Sequence, residues 1–185
     1  VKDVSRRQRP EFLYKRAWCD FAVGNQNRAA ERFEEVAGLK SPAYSGAACF
    51  TLGYINYDNG RFDEALRWFG KANDKRFADL SAYYTLDCRF QLKDYEYVVA
   101  NGDELLPKFQ DERAKHVARL LSESCLVLGK ADRAKAIYDG LLAESPDTSR
   151  SGLFFTASLL YAVQDWQGAR DKYMAMGDRS DSLGQ

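Results

Sequence analysis

Between Leu52 and Ala72 the chain reads LGYINYDNGRFDEALRWFGKA, with two apolar stretches broken by Asn59-Gly60. Leu52 and Ile55 on one side, and Phe62, Leu66 and Phe69 on the other, recur at intervals of three and four. That spacing places one apolar stripe on each of two helices. Gly24-Asn25, Leu128-Gly129-Lys130 and Gln164-Asp165 punctuate comparable stretches, because Gly or Asn can leave a helix with positive φ. Ser41-Pro42 and Ser145-Pro146 stop helices in the residue before the proline, and Pro107 stops another. The pattern predicts helices near 11–23, 27–38, 43–58, 62–73, 78–92, 95–106, 111–128, 131–143, 150–163 and 166–176. No stretch alternates with the period of a strand, so the predicted class is all-α.

The hairpins repeat. Ala29-x-x-x-Phe33, Ala65-x-x-x-Phe69, Val98-x-x-x-Gly102, Ala134-x-x-x-Tyr138 and Ala169-x-x-x-Tyr173 follow one another at steps of 36, 33, 36 and 35 residues. A single hairpin cannot cover its own apolar face, so copies must stack on their neighbours. Gly53 and Ala65 are expected where the two helices of a hairpin cross, small enough to let the backbones approach. Leu52, Phe62 and Phe69 fill the space around that crossing, and Ala72 leaves room for the next hairpin.

This unit resembles the tetratricopeptide repeat, a helical hairpin of about 34 residues with the pattern W-x2-L-G-x2-Y, A-x3-F and often P. The second copy matches best, through Cys49-x2-Leu52-Gly53-x2-Asn56, Ala65-x3-Phe69 and Ala72. The fourth offers Leu121-Ser122, Gly129, Ala134, Tyr138 and Pro146. The first offers Ala17, Gly24, Ala29 and Phe33, and the fifth Ala157, Trp166, Ala169 and Tyr173. The third departs from the pattern, with Val98 and Gly102 where Ala and an aromatic are expected. The resemblance implies a right-handed α-solenoid of about five repeats near 11–42, 43–77, 78–110, 111–146 and 150–177. Residues 1–10 form a flank and 178–185 a tail.

The resemblance further implies that the first helix of each pair lines a concave groove holding a peptide or partner helix. With Leu52 and Gly53 facing inward, the outward residues are Phe50, Tyr54, Tyr57 and Asp58. Their counterparts are Tyr14, Trp18 and Phe21 in the first copy, and Tyr83, Asp87 and Phe90 in the third. Arg119 and Glu123 follow in the fourth, and Phe154 and Ser158 in the fifth. Aromatic rings offer large, rigid contact area, so Tyr14, Trp18, Phe50, Tyr54, Tyr57 and Tyr83 make a slot for apolar side chains. Asp58 and Asp87 supply acidic points for a Lys or Arg of the ligand. Alternatively, single rings pack between hairpins as core. Relatives that hold a C-terminal carboxylate use Lys, Asn and Arg along this groove. Here those places carry Tyr14, Trp18, Thr51, Leu80 and Tyr84, so a chaperone-type tail is not the expected ligand.

Composition narrows the chemistry. The chain of 185 residues has 27 basic and 27 acidic residues, so no global field draws it to nucleic acid or anionic lipid. Arg6-Arg7-Gln8-Arg9 is the one basic run, and it precedes the first predicted helix. No apolar run is long enough to cross a bilayer. The single histidine, His116, has no partner constellation for general-base work, and no phosphate-binding or nucleophile motif occurs. Cys19, Cys49, Cys88 and Cys125 lie at least 30 residues apart without a C-x-x-C pair, so they read as reduced core residues rather than metal ligands. No cofactor, metal or catalytic residue is expected.

The expected role is a non-catalytic protein-binding scaffold. The alternatives are a structural or oligomerisation module and, more remotely, a helical repeat that reads RNA. The array lacks a recognisable polar capping helix after Met176, which anticipates either further repeats or self-association through that end. The irregular spacing and loose copies resemble bacterial repeat proteins, and the compartment, cytoplasm or cell envelope, is not legible.

Overall fold

The computed structural model describes residues 8–39, 41–143 and 146–177. Among these there are ten α-helices and no strand. They are α1 (Arg9–Ala22), α2 (Gln26–Gly38), α3 (Ser45–Asp58), α4 (Phe62–Phe69), α5 (Ala78–Gln91), α6 (Tyr95–Leu105), α7 (Glu112–Val127), α8 (Ala131–Ile137), α9 (Arg150–Ala162) and α10 (Trp166–Ala175). Residues 1–7 of the flank, Ser145 and the tail from 178 lie outside the described residues.

The chain divides into two compact units, Val1–Leu92 and Lys93–Gln185. In the first, α1 to α5 pack each on the next, and α3 also touches α5. Leu13, Ala17, Ala29, Phe33, Val36, Ala48, Leu52 and Ile55 form one core cluster. Ala65, Phe69 and Cys88 form another, with Phe50, Tyr57, Phe62, Leu66 and Tyr84 packed against it. In the second unit α6 to α10 pack in the same neighbour-to-neighbour way, and α7 touches α9. Its core holds Val99, Leu121, Cys125, Ala134, Phe155 and Leu159.

One turn geometry recurs along the chain. Gly24, Gly60, Lys93, Gly129 and Gln164 all adopt φ between 62° and 83°, each five residues before the first residue of the repeated pattern. The following amide reaches back across the turn: Asn25 N–H to the Asp20 carbonyl, Arg61 to Asn56, Lys130 to Cys125 and Asp165 to Leu160, at 2.8–2.9 Å. These bonds satisfy carbonyls that a helix end would otherwise leave open. Asp94, Asp111, Ser149 and Asp165 cap the starts of α6, α7, α9 and α10 through backbone amides.

Three details depart from the expected layout. Helix α1 starts at Arg9, inside the expected flank, because Pro10 sits in the first turn, where its missing N–H costs nothing. Helix α4 ends at Phe69 rather than near 73, where Gly70 tightens the last turn and Asp74 then caps a 3₁₀ turn at Lys75–Phe77. Helix α8 widens into a π-type turn over Tyr138–Leu142, with the Ala143 amide bonding the Tyr138 carbonyl at 2.9 Å. The anomalous third copy also acquires a physical account. A Cβ at Gly102 would lie 3.0 Å from Leu121 of α7, so a neighbouring leucine occupies the room that an aromatic would have taken.

The cysteine expectation needs one correction. Cys49, Cys88 and Cys125 are buried, but Cys19 is exposed, because no described helix covers that side of α1.

Candidate functional site

A cleft of about 310 Å³ opens in the first unit, walled by Trp18 and Phe21 of α1, Phe50, Thr51 and Tyr54 of α3, Phe77 of the 3₁₀ turn, and Leu80 and Tyr84 of α5. Helix periodicity builds it. Trp18 and Phe21 are one turn apart on α1, Phe50 and Tyr54 one turn apart on α3, and Leu80 and Tyr84 one turn apart on α5.

The rings hold one another in place. Phe50 stacks on Phe77 with centroids 4.6 Å apart and planes at 15°. Tyr84 meets Tyr54 edge-on at 5.5 Å and lies parallel to Phe69 at 5.7 Å. Phe21 reaches Tyr54 at 6.4 Å, and Trp18 packs on Phe21 at 5.3 Å. Trp18 remains 40% exposed, while Phe50, Tyr54 and Tyr84 are half-buried. The one hydroxyl in the wall that is not a phenol, Thr51 Oγ1, donates to the Ala47 carbonyl of its own helix at 3.0 Å. The lining therefore offers apolar surface and little hydrogen-bonding demand.

Of the eight residues expected in the groove, Trp18, Phe50 and Tyr54 line this cleft. Tyr14, Tyr57, Asp58, Tyr83 and Asp87 do not. Tyr14 packs with Phe33 at 5.8 Å and Tyr44 at 5.4 Å, as core between α1 and its neighbours. Tyr57 packs against Phe62 and Tyr84. Tyr83 meets Tyr84 edge-on at 5.1 Å, outside the cleft wall.

Of the two acidic points, Asp87 is corrected and Asp58 stays exposed. Asp87 is only 2% exposed, and its carboxylate accepts the Tyr57 hydroxyl and, at 3.1 Å, the Gln91 amide. A buried carboxylate held this way is a structural partner rather than an open receptor for a ligand cation. Burial, followed by the bond to Asp87, pushes the Tyr57 phenol above its ordinary range. Asp58 is exposed at the end of α3, where it accepts from Gln26 at 3.2 Å.

In the second unit, Arg119 is engaged by Glu123 at 2.7 Å and Asp147 at 2.8 Å, so it is not an open groove cation. Bonds from Ser149 first, and then Arg119, hold the Asp147 carboxyl below the usual range. Phe154 is exposed and meets Tyr173 edge-on at 6.3 Å.

Sequence reasoning placed Thr51, Leu80 and Tyr84 at positions where a carboxylate clamp would stand in the family, and these three help to wall the cleft. Phe77 carried no such signal. It lies in the short turn before α5, where no helical period marks its direction.

Among the described residues no group of three or more His, Cys, Asp or Glu side chains could hold a metal ion. No described helix is long and apolar enough to cross a membrane. Compared with protein-family models and with curated proteins, the chain matches none.

Proposed function

We propose that this chain is a tetratricopeptide-like array, a right-handed α-solenoid of about five repeats, serving as a non-catalytic scaffold. Its ligand is a protein segment, an extended peptide or helix, that inserts apolar side chains between Trp18, Tyr54 and Tyr84. The recurrence of one left-handed turn at steps of 36, 33, 36 and 35 residues supports the repeat reading. The observation that carries the binding role is the cleft itself. Seven apolar or aromatic side chains converge there from three helices and a turn, and Thr51 Oγ1 is already spent on its own helix. Its 310 Å³ sits at the small end of ligand pockets, suited to one or two bulky side chains rather than a cofactor.

The test is selection of displayed random peptides on the purified 185-residue chain, followed by affinity measurement. Selected peptides should share bulky apolar residues. Trp18→Ala and Tyr54→Ala should each weaken them by about tenfold or more, the loss typical of a central aromatic contact. Val127→Ala, exposed in the second unit, should leave affinity unchanged. Peptides without an apolar signature, or affinities indifferent to both aromatic variants, would overturn the proposal.

A further inference from the structure

A separate cavity of about 560 Å³ opens in the first unit and shares no wall residue with the cleft. Helix α3 divides the two. Ser45 and Cys49, one turn apart, face this cavity, while Phe50 and Tyr54 face the cleft. The other walls come from the end of α2, the Ser41-Pro42 turn, and the end of α4 with the residues just beyond it. The volume falls within the range of small-molecule sites.

The lining divides by polarity. Ala37, Pro42, the buried Cys49 and the half-buried ring of Trp68 make an apolar part. Glu34, Ser41, Lys71 and Asn73 bring two opposite charges, a hydroxyl and an amide. Lys71 Nζ stands 4.5 Å from the centroid of the Trp68 ring, a cation–π contact that keeps the ammonium at the cavity. Burial pushes the Cys49 thiol up and Lys71 draws it part of the way back, as a cation directed toward that wall does. Neighbouring charges on α2 and α4 find partners: Glu35 pairs with Arg9 at 3.1 Å, and Arg67 with Glu64 at 2.8 Å. Among the described residues neither Glu34 nor Lys71 makes an ion pair, with each other or with a third side chain.

We propose that this cavity is a site for a small zwitterion, a free amino acid or a short peptide. Its ammonium meets Glu34, its carboxylate meets Lys71, and its apolar side chain lies against Trp68 and Pro42. Opposite charges held apart on separate elements are answered together only by a ligand that carries both. A ligand with one charge satisfies one wall and leaves the other facing its apolar body. The Ser41 hydroxyl and the Asn73 amide can each donate to the carboxylate or accept from the ammonium.

Proton–nitrogen correlation spectra of the labelled chain test this, since each of its three tryptophans gives its own indole signal. The Trp68 signal is the one lost in Trp68→Phe. Titration with the common amino acids and with their glycyl dipeptides should move it, and the tighter group of the two identifies the source of the zwitterion. Analogues of the tightest binder that lack the ammonium or the carboxylate should each bind about three- to fivefold more weakly, as for an exposed ion pair. Glu34→Gln should weaken the parent zwitterion by a similar factor and leave the analogue without an ammonium unaffected. Lys71→Gln should do the same toward the analogue without a carboxylate, and Lys71→Arg should restore binding. Glu34 and Lys71 are exposed, so these variants should keep the fold. Arg67→Gln, on α4 but outside the cavity wall, should leave affinity unchanged. A Trp68 signal that no member of the panel moves, or affinities indifferent to both charge variants, would overturn the proposal. Peptide capture in the cleft is read by selection and stands or falls separately.

Discussion

Adding one methyl group at Gly53 should destabilise the first unit, although the same change favours an isolated helix. A Cβ built on Gly53 would lie 2.5 Å from both Cδ1 and Cε1 of Phe69, well inside contact distance. The ring has little freedom to retreat, because Tyr84 lies parallel to it at 5.7 Å and Phe50 stands 5.9 Å away. Overpacking of this kind costs about 1–3 kcal/mol. Replacing a mid-helix glycine by alanine returns about 0.5–1 kcal/mol. With two ring carbons at 2.5 Å the upper half of the overpacking range applies, so the net expectation for Gly53→Ala is a loss of about 1–2.5 kcal/mol, each kcal/mol lowering the Tm of a chain of this size by about 2–4 °C. Gly38, with nothing within 4 Å of its Cβ position and no positive φ, is the control. Gly38→Ala should be neutral or stabilising by up to about 0.5 kcal/mol. Thermal and urea unfolding followed by far-UV circular dichroism would read both. Phe69→Leu should cost less in the Gly53→Ala background than alone, because the shorter side chain relieves the clash. A Gly53→Ala chain as stable as wild type, or additive losses in the pair, would refute the reasoning.

Other expectations follow from single features. Gln164 sits at φ 64° where Gly24, Gly60 and Gly129 stand in three other turns, so Gln164→Gly should stabilise by about 1 kcal/mol in urea unfolding, and Gly60→Ala should do the reverse. A chromogenic disulfide reagent should titrate Cys19 rapidly in the native chain. The other three thiols should react only on unfolding, since burial raises all of them and pushes Cys88 up to about 12. The raised Tyr57 phenol contributes stability in full below its unfolded value of about 10, and that contribution is lost as pH climbs through the alkaline range. The stability difference between wild type and Tyr57→Phe should therefore shrink above about pH 10, and a constant difference would remove Tyr57 as the cause.

The hairpins were legible because their determinants are local. Apolar spacing within a turn or two and a glycine at the bend do not depend on distant neighbours. Those signals placed ten helices among the described residues within a few residues of their observed ends, apart from the end of α8, which gives way to the π-type turn after Ile137. The misplaced ends of α1 and α4 follow from equally local chemistry, a proline tolerated in the first turn and a glycine that stops the last one. The cleft was less legible. The family resemblance put Tyr83 and Asp87 on an expected groove side of α5, but Leu80, Tyr84 and the turn residue Phe77 wall the cleft, while Asp87 is closed over by Tyr57 and Gln91.

By itself, then, the order of residues determined that the chain is helical, where its hairpins bend and which small residues recur beside each bend. Only the tertiary structure decided which rings wall a cleft and which pack as core, and why three cysteines are covered and Cys19 is not. The physical reason is that helix and turn are selected by contacts within a few residues, whereas exposure is conferred by whichever helix lies across the way.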